Sequence, residues 1–279
     1  MRTIPASLIS ERVKDLVIEA NVMLPPDVVA AFESAFGREV SEAGRLVISE
    51  ILENRAVAAA QRLPLCQDTG TAVFFAEIGA DVHIDGGDFE SAITNGMRQG
   101  YREGHFRMSM ADPLTRANTG DNVPAVIHVT CVPGDGLTIS FLAKGGGTEN
   151  ASRLFMLTPS DREDAVTARV VSVVDEAGAR ACPPLIVGVG LGGAFDTAPI
   201  MARRALLREV GVPHPEARIA GLESRILSAV NDLGIGPMGL GGRVTALAVH
   251  VEIAPCHIAS LPLAVNLQCH SARHGEIRL

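Results

Sequence analysis

Apolar residues recur at three- and four-residue spacing through positions 7–23, 27–36 and 41–62, and beyond them the period changes. A chain that opens on helical repeats and continues in short apolar runs is confined to mixed α/β architectures. Pro25 and Pro26 interrupt the opening helical block. Positions 72–78 read as a buried strand, and 88–103 as a helix closed by Gly104. Ala125, Ile127, Val129 and Cys131 alternate with polar or smaller residues, Pro133-Gly134-Asp135-Gly136 turns, and Leu137, Ile139 and Phe141 alternate again. That pattern predicts a β-hairpin. Helical patterns return at 161–180, 197–210 and 215–233, with strands at 184–189, 244–253 and 261–267, the last of which ends the ordered pattern. Repeats, linkers and low-complexity segments are missing, so residues 1–279 are expected to form a single compact unit of mixed β-sheets surrounded by helices.

Composition excludes several function classes. At 47 % hydrophobic content a chain of 279 residues buries a large core. A formal net charge of −8 argues against a nucleic-acid or anionic-membrane surface, because both favour a basic face. An anionic small substrate must then meet locally placed cations. Five cysteines are too few for a disulfide scaffold, and no charged segment followed by an apolar one opens the sequence, so a cytoplasmic protein is expected. The longest apolar stretches, 185–193 and 261–267, are far short of the ~20 residues that span a bilayer.

Three thiols stand out. Cys66 lies in Pro64-Leu65-Cys66-Gln67-Asp68-Thr69-Gly70, Cys182 before Pro183-Pro184, and Cys269 between Gln268 and His270. Each falls where a strand or helix stops, as soft metal ligands converging from separate elements require. Spacing alone leaves each open between ligand and buried thiol. Cys131 occupies an apolar phase of the hairpin and reads as a small buried hydrophobe. Cys256 precedes His257, and there a ligand or nucleophilic role stands level with burial. Gly188-Val189-Gly190-Leu191-Gly192-Gly193 matches a dinucleotide fingerprint, but no strand with an acidic residue follows at the right distance. These glycines read instead as room for a helix to pack on a strand, or for an anion at its start.

Other polar residues are candidates for a binding site. Lys144 is one of very few lysines and opens Lys144-Gly145-Gly146-Gly147, where successive N–H groups suit an anion or carboxylate. The plainer alternative is a surface lysine before a mobile turn. Positions 110–123 form a long polar loop of the kind that carries function. Arg107 and Ser109 just ahead of it suit a carboxylate clamp, or a solvated ion pair. Asp68 reads as a catalytic carboxylate or a turn cap, and His257 as a substrate donor, a general acid or a structural histidine.

Taken in order, Cys66-Gln67-Asp68-Thr69-Gly70, Asn118-Thr119-Gly120-Asp121-Asn122, Lys144-Gly145-Gly146-Gly147-Thr148-Glu149-Asn150, Cys182-Pro183-Pro184, Leu233-Gly234-Ile235-Gly236-Pro237, Cys256-His257-Ile258-Ala259-Ser260 and Gln268-Cys269-His270 resemble the oxygen-sensitive iron-sulfur hydro-lyases. These are the class I fumarases and L(+)-tartrate dehydratases, and the resemblance is to their N-terminal, cluster-bearing half or separate alpha subunit. It implies a [4Fe-4S] cluster on Cys66, Cys182 and Cys269, one iron being left open to substrate. It also implies contacts from Gln67, Asp68, Arg107, Lys144, Gly146 and His257 to a small dicarboxylate, with Asp68 and His257 catalytic. Fumarate to malate is the leading expectation, and dehydration of L(+)-tartrate the alternative. Since the chain stops at Leu279, soon after the third thiol, a beta subunit on a separate chain is expected to complete the enzyme, within a homodimer or larger oligomer. Readings from other classes are a non-catalytic metal-binding module and a dinucleotide oxidoreductase.

Overall fold

Pro5 closes a four-residue strand and caps the helix that follows, whose buried Ile9, Val13, Leu16, Val17 and Ala20 keep the helical spacing of the sequence. In chain order the elements are β1 (Arg2–Pro5), α1 (Ala6–Val22), α2 (Pro26–Arg38), α3 (Glu42–Gln61), β2 (Thr71–Gly79), β3 (Val82–Asp85), α4 (Phe89–Glu103), β4 (Val126–Val132), β5 (Leu137–Lys144), α5 (Gly146–Ala151), β6 (Arg153–Leu157), α6 (Glu163–Ala177), β7 (Leu185–Gly192), α7 (Thr197–Ala205), α8 (Ala217–Asn231), β8 (Ala246–Ala254), β9 (Leu261–Gln268) and β10 (His274–Arg278). This computed structural model describes residues 1–279. The class is the expected mixed α/β, with mixed sheets and helices around them. Contacts gather into two compact units. One takes Met1–Pro25, Asn54–Gly146 and Arg273–Leu279, the other Pro26–Glu53 and Gly147–Ala272.

The first unit holds a sheet ordered β10-β5-β2-β4 and a parallel β1-β3 pair. Its core joins α1 and α4 to Ala72, Phe74, Leu137, Ile139 and Phe141 of the sheet. The expected hairpin is corrected here. β4 and β5 both form, but β2 lies between them, parallel to β4 and antiparallel to β5. Alternation marks a strand without naming its partner. β2 buries five consecutive residues, Ala72 to Ala76, so both its faces are covered and its buried main-chain groups need a ladder on each edge. The link 133–136 crosses the end of β2, where Gly79 and Asp81 donate N–H bonds to the carbonyls of Gly136 and Gly134.

The second unit holds the sheet β6-β9-β7-β8, with β7 parallel to β8 and antiparallel to β9. Val187 and Val189 join α6 and α8 in one core. Gly188 and Gly190 point the other way, toward α7. A Cβ at these two would fall 2.0 and 2.1 Å from the carbonyl oxygens of Ala202 and Ala198. The first two fingerprint-like glycines, Gly188 and Gly190, therefore lie inside a strand and give a helix room to approach, the packing reading of the sequence. β9 does not end the ordered pattern, because β10 follows and pairs with β5 in the first unit.

Candidate active site

Tyr101, the sole tyrosine, is fully buried near the end of α4, where its hydroxyl donates to the carbonyls of Thr69 (2.8 Å) and Gly70 (3.1 Å). Burial pushes its ionisation well above the ordinary value, so it remains a donor. The Thr69 hydroxyl donates to the Arg107 carbonyl at 2.6 Å. Buried Asn122 accepts N–H bonds from Ser109 (2.6 Å) and Met110 (3.2 Å) and donates to the Gly70 carbonyl (3.1 Å). These bonds lash residues 69–70, 107–110 and 122 into one cradle.

Asp68 is held at both oxygens. Oδ1 accepts the N–H of Gly70 at 3.0 Å and Oδ2 the N–H of Gly146 at 2.7 Å. The carboxylate is thus pinned by main chain, which fixes its direction. Gly70 makes this possible, with φ of +73° and a Cα so near β5 that a Cβ would fall 2.5 Å from the Lys144 carbonyl oxygen. Lys144 ends β5 and is only 1 % exposed, so the surface-lysine alternative is corrected. Gly146 and Gly147 start α5 instead of forming a mobile turn, and the Gly146 N–H is spent on Asp68. Behind them lies Arg273, fully buried, its guanidinium against Gly145 and donating to Asn21 Oδ1 at 3.3 Å.

These residues enclose a cavity of about 360 Å3 lined by Asp68, Gly70, Thr71, Arg107, Met108, Ser109, Asn118, Lys144 and Gly146. Four expected substrate residues, Asp68, Arg107, Lys144 and Gly146, meet there. Gln67 is exposed beside Asp68 and outside the lining. His257 belongs to the second unit, on the exposed turn between β8 and β9, where its Nδ1 accepts the N–H of Ala259 at 3.1 Å. That bond places the ring proton on Nε2. Tyr101, Asn122 and Arg273 were not singled out by sequence reasoning. Asn122 stood in a quoted motif and Arg273 four residues past Cys269, but burial is what reveals both.

The thiols divide. Cys66, Cys182 and Cys269 are half-buried, while Cys131 and Cys256 are exposed. The buried reading of Cys131 is corrected, because β4 is an edge strand and its later residues face solvent. Cys256 Sγ donates to the Ser260 carbonyl at 3.2 Å. In the second unit the His270 N–H donates to the Cys182 carbonyl at 3.2 Å, which brings the segments of Cys182 and Cys269 together. Cys182 caps a short 3-10 turn with φ 53° and ψ 63°. No three His, Cys, Asp or Glu side chains gather at the distances of a single metal ion. Cys66 in the first unit and Cys182 and Cys269 in the second stand outside any disulfide, and thiolates are the ligand chemistry of an iron-sulfur cluster.

A mixed α/β chain with a buried lysine, a doubly held carboxylate and three sheltered thiols has the makings of an enzyme acting on a small anion. Residues 10–278 match the model of the fumarate hydratase (Fumerase) family, and the chain belongs to it. It is a hydro-lyase of the fumarate hydratase and tartrate dehydratase type. Among relatives, it is 39 % identical over 277 residues to a putative L(+)-tartrate dehydratase subunit alpha of Methanocaldococcus jannaschii, covering 97 % of each chain. It is 30 % identical over 275 residues to the L(+)-tartrate dehydratase subunit alpha of Escherichia coli (strain UTI89 / UPEC), covering 97 % of this chain and 90 % of that one. The Shigella boydii subunit alpha is likewise 30 % identical, over 273 residues.

Proposed function

We propose that this chain is the cluster-bearing alpha subunit of a hydro-lyase that reversibly adds water to fumarate. The observation that carries the reading is the pocket in which a buried lysine and an arginine face a carboxylate pinned by two N–H groups. Lys144 and Arg107 would bind a substrate carboxylate, the first as a buried point charge and the second by its planar fork. Asp68 would hold or relay a proton beside the reacting carbons, while Gln67 and His257 would donate to substrate, His257 through Nε2. Cys66, Cys182 and Cys269 would hold a [4Fe-4S] cluster, which when bound supplies an open iron as a Lewis acid toward hydroxyl and carboxylate.

A beta subunit on a separate chain would supply the remaining base and cations. The printed name "subunit alpha" of the relatives supports such a partner. Our reading puts the assembly in the cytoplasm, as a homodimer of alpha or a higher hetero-oligomer; no helix here is long and apolar enough to cross a membrane. A second reading, dehydration of L(+)-tartrate, is favoured by those same names.

Anaerobic reconstitution with iron, sulfide and the beta chain decides between them. Fumarate-malate interconversion is expected, lost when the beta chain is omitted. Turnover of L(+)-tartrate alone would install the second reading, and turnover of neither diacid by the reconstituted pair would overturn both.

A further inference from the structure

Glu39 follows the last residue of α2 and is fully buried in the second unit. Its carboxylate accepts four main-chain N–H groups: Val40 at 2.8 Å, Ser41 at 2.9 Å, Val244 at 2.8 Å, and Arg243, which reaches both oxygens at 2.9 Å. Burial opposes its charge, yet the N–H groups of Ser41, Arg243, Val244 and Val40 prevail and hold the carboxyl below its usual value. Gly44 and Gly242 press on the carboxylate so closely that a Cβ on either would fall 2.9 or 2.6 Å from its atoms. Capping a turn between two helices does not require this. An exposed serine or aspartate does that without the cost of burying a charge.

The far end of the tether suggests its use. Residues 234–242 form a loop with Gly234, Gly236, Met238, Gly239, Gly241 and Gly242 all at positive φ, a backbone with little stiffness of its own. Glu39 grips it where it enters β8. Within it, Met238 donates its N–H to the Pro183 carbonyl at 2.8 Å, and Gly239 sits so tightly on Ala179 that a Cβ would fall 2.4 Å from the alanine methyl. The Ala179 carbonyl in turn accepts the Cys182 N–H at 3.0 Å. Cys182 stands in the left-handed region, which costs a residue with a side chain on the order of 1 kcal/mol and must be held from outside.

We infer that Glu39 is a positioning residue for Cys182, acting through the 234–242 loop to hold a metal-ligating thiol in its strained conformation. The inference rests on the cluster reading for the purpose of the device, and on the bonds above for its existence. The test uses the full chain kept free of iron under anaerobic conditions, with a pulse of iodoacetamide read cysteine by cysteine by mass spectrometry. In Glu39→Gln, Cys182 should label several-fold faster relative to Cys131 and Cys256, and iron retained after reconstitution should fall. Glu223→Gln removes another buried carboxylate of the same unit, one that accepts from Arg208 and from the N–H groups of His214 and Val251. It should lower Tm with Cys182 labelling unchanged.

Unchanged Cys182 labelling in Glu39→Gln, or an equal rise in Glu223→Gln, would overturn the inference. Should Glu39→Gln fail to fold, hydrogen exchange on the native chain serves instead. The amides of Met238, Arg243 and Val244 should open together, and free exchange at Met238 with Arg243 and Val244 protected would overturn the coupling. Failure of the native chain to take up iron with Cys182 still released in Glu39→Gln would overturn the cluster reading alone.

Discussion

Gly70 has no side chain, yet it decides where two charged groups stand. Its positive φ turns the chain so that its N–H meets Asp68, and its bare Cα lets the Lys144 carbonyl approach. Gly70→Ala should cost about 1–2 kcal/mol for the left-handed conformation, plus the displacement of β5. A drop in Tm accompanied by a loss of kcat is expected; unchanged values would show that the cradle tolerates a Cβ. Asp68→Asn separates charge from shape, since the amide oxygen can still accept one N–H bond. On the proposed role, kcat should fall by about 10²–10⁴-fold with the native fold retained by circular dichroism. Undiminished kcat would reduce Asp68 to a turn cap. At this scale the sequence was informative about chemistry and poor about burial. Lys144 and Asp68 stood out by the residues around them and line one cavity, whereas the exposure of Cys131 and the burial of Arg273 depend on edge strands and neighbours remote in sequence.

Secondary structure with a strong period was read correctly because a long amphipathic or wholly apolar run has few other solutions. α1, α4, α8 and β9 are of that kind. β1 and β3 are four residues each and pair between segments far apart in sequence, and β10 carries exposed Glu276 and Arg278, so neither pattern nor length announces them. The missed insertion of β2 between β4 and β5 is a matter of partner choice, set by burial on both faces of β2. β8 offers a prediction about pH. Burial, followed by the charge of Arg208, lowers the pKa of His250 from 6.5 to about 4, and its Nδ1–H reaches the Ala205 carbonyl at 3.1 Å. The unfolded chain then binds the proton more readily, so stability is complete above the unfolded value and is lost as pH falls from about 6.5 toward about 4. The loss has an upper bound of about 3 kcal/mol. His250→Gln should flatten Tm against pH over that window, and an unaltered slope would assign the acid sensitivity to other groups.

At the scale of the molecule, the chain forms two units built from interleaved segments. No composition shift marks their boundaries, because α3 runs across one of them without a break. Family membership covers residues 10–278, while the choice of thiols is the proposal on which the mechanism depends. Five single Cys→Ser variants, each reconstituted anaerobically and assayed for iron, test it most directly. About four irons per chain should remain in the native chain and in Cys131→Ser and Cys256→Ser, with binding lost in Cys66→Ser, Cys182→Ser and Cys269→Ser. Full iron in any of those last three, or its loss with Cys131 or Cys256, would contradict the account.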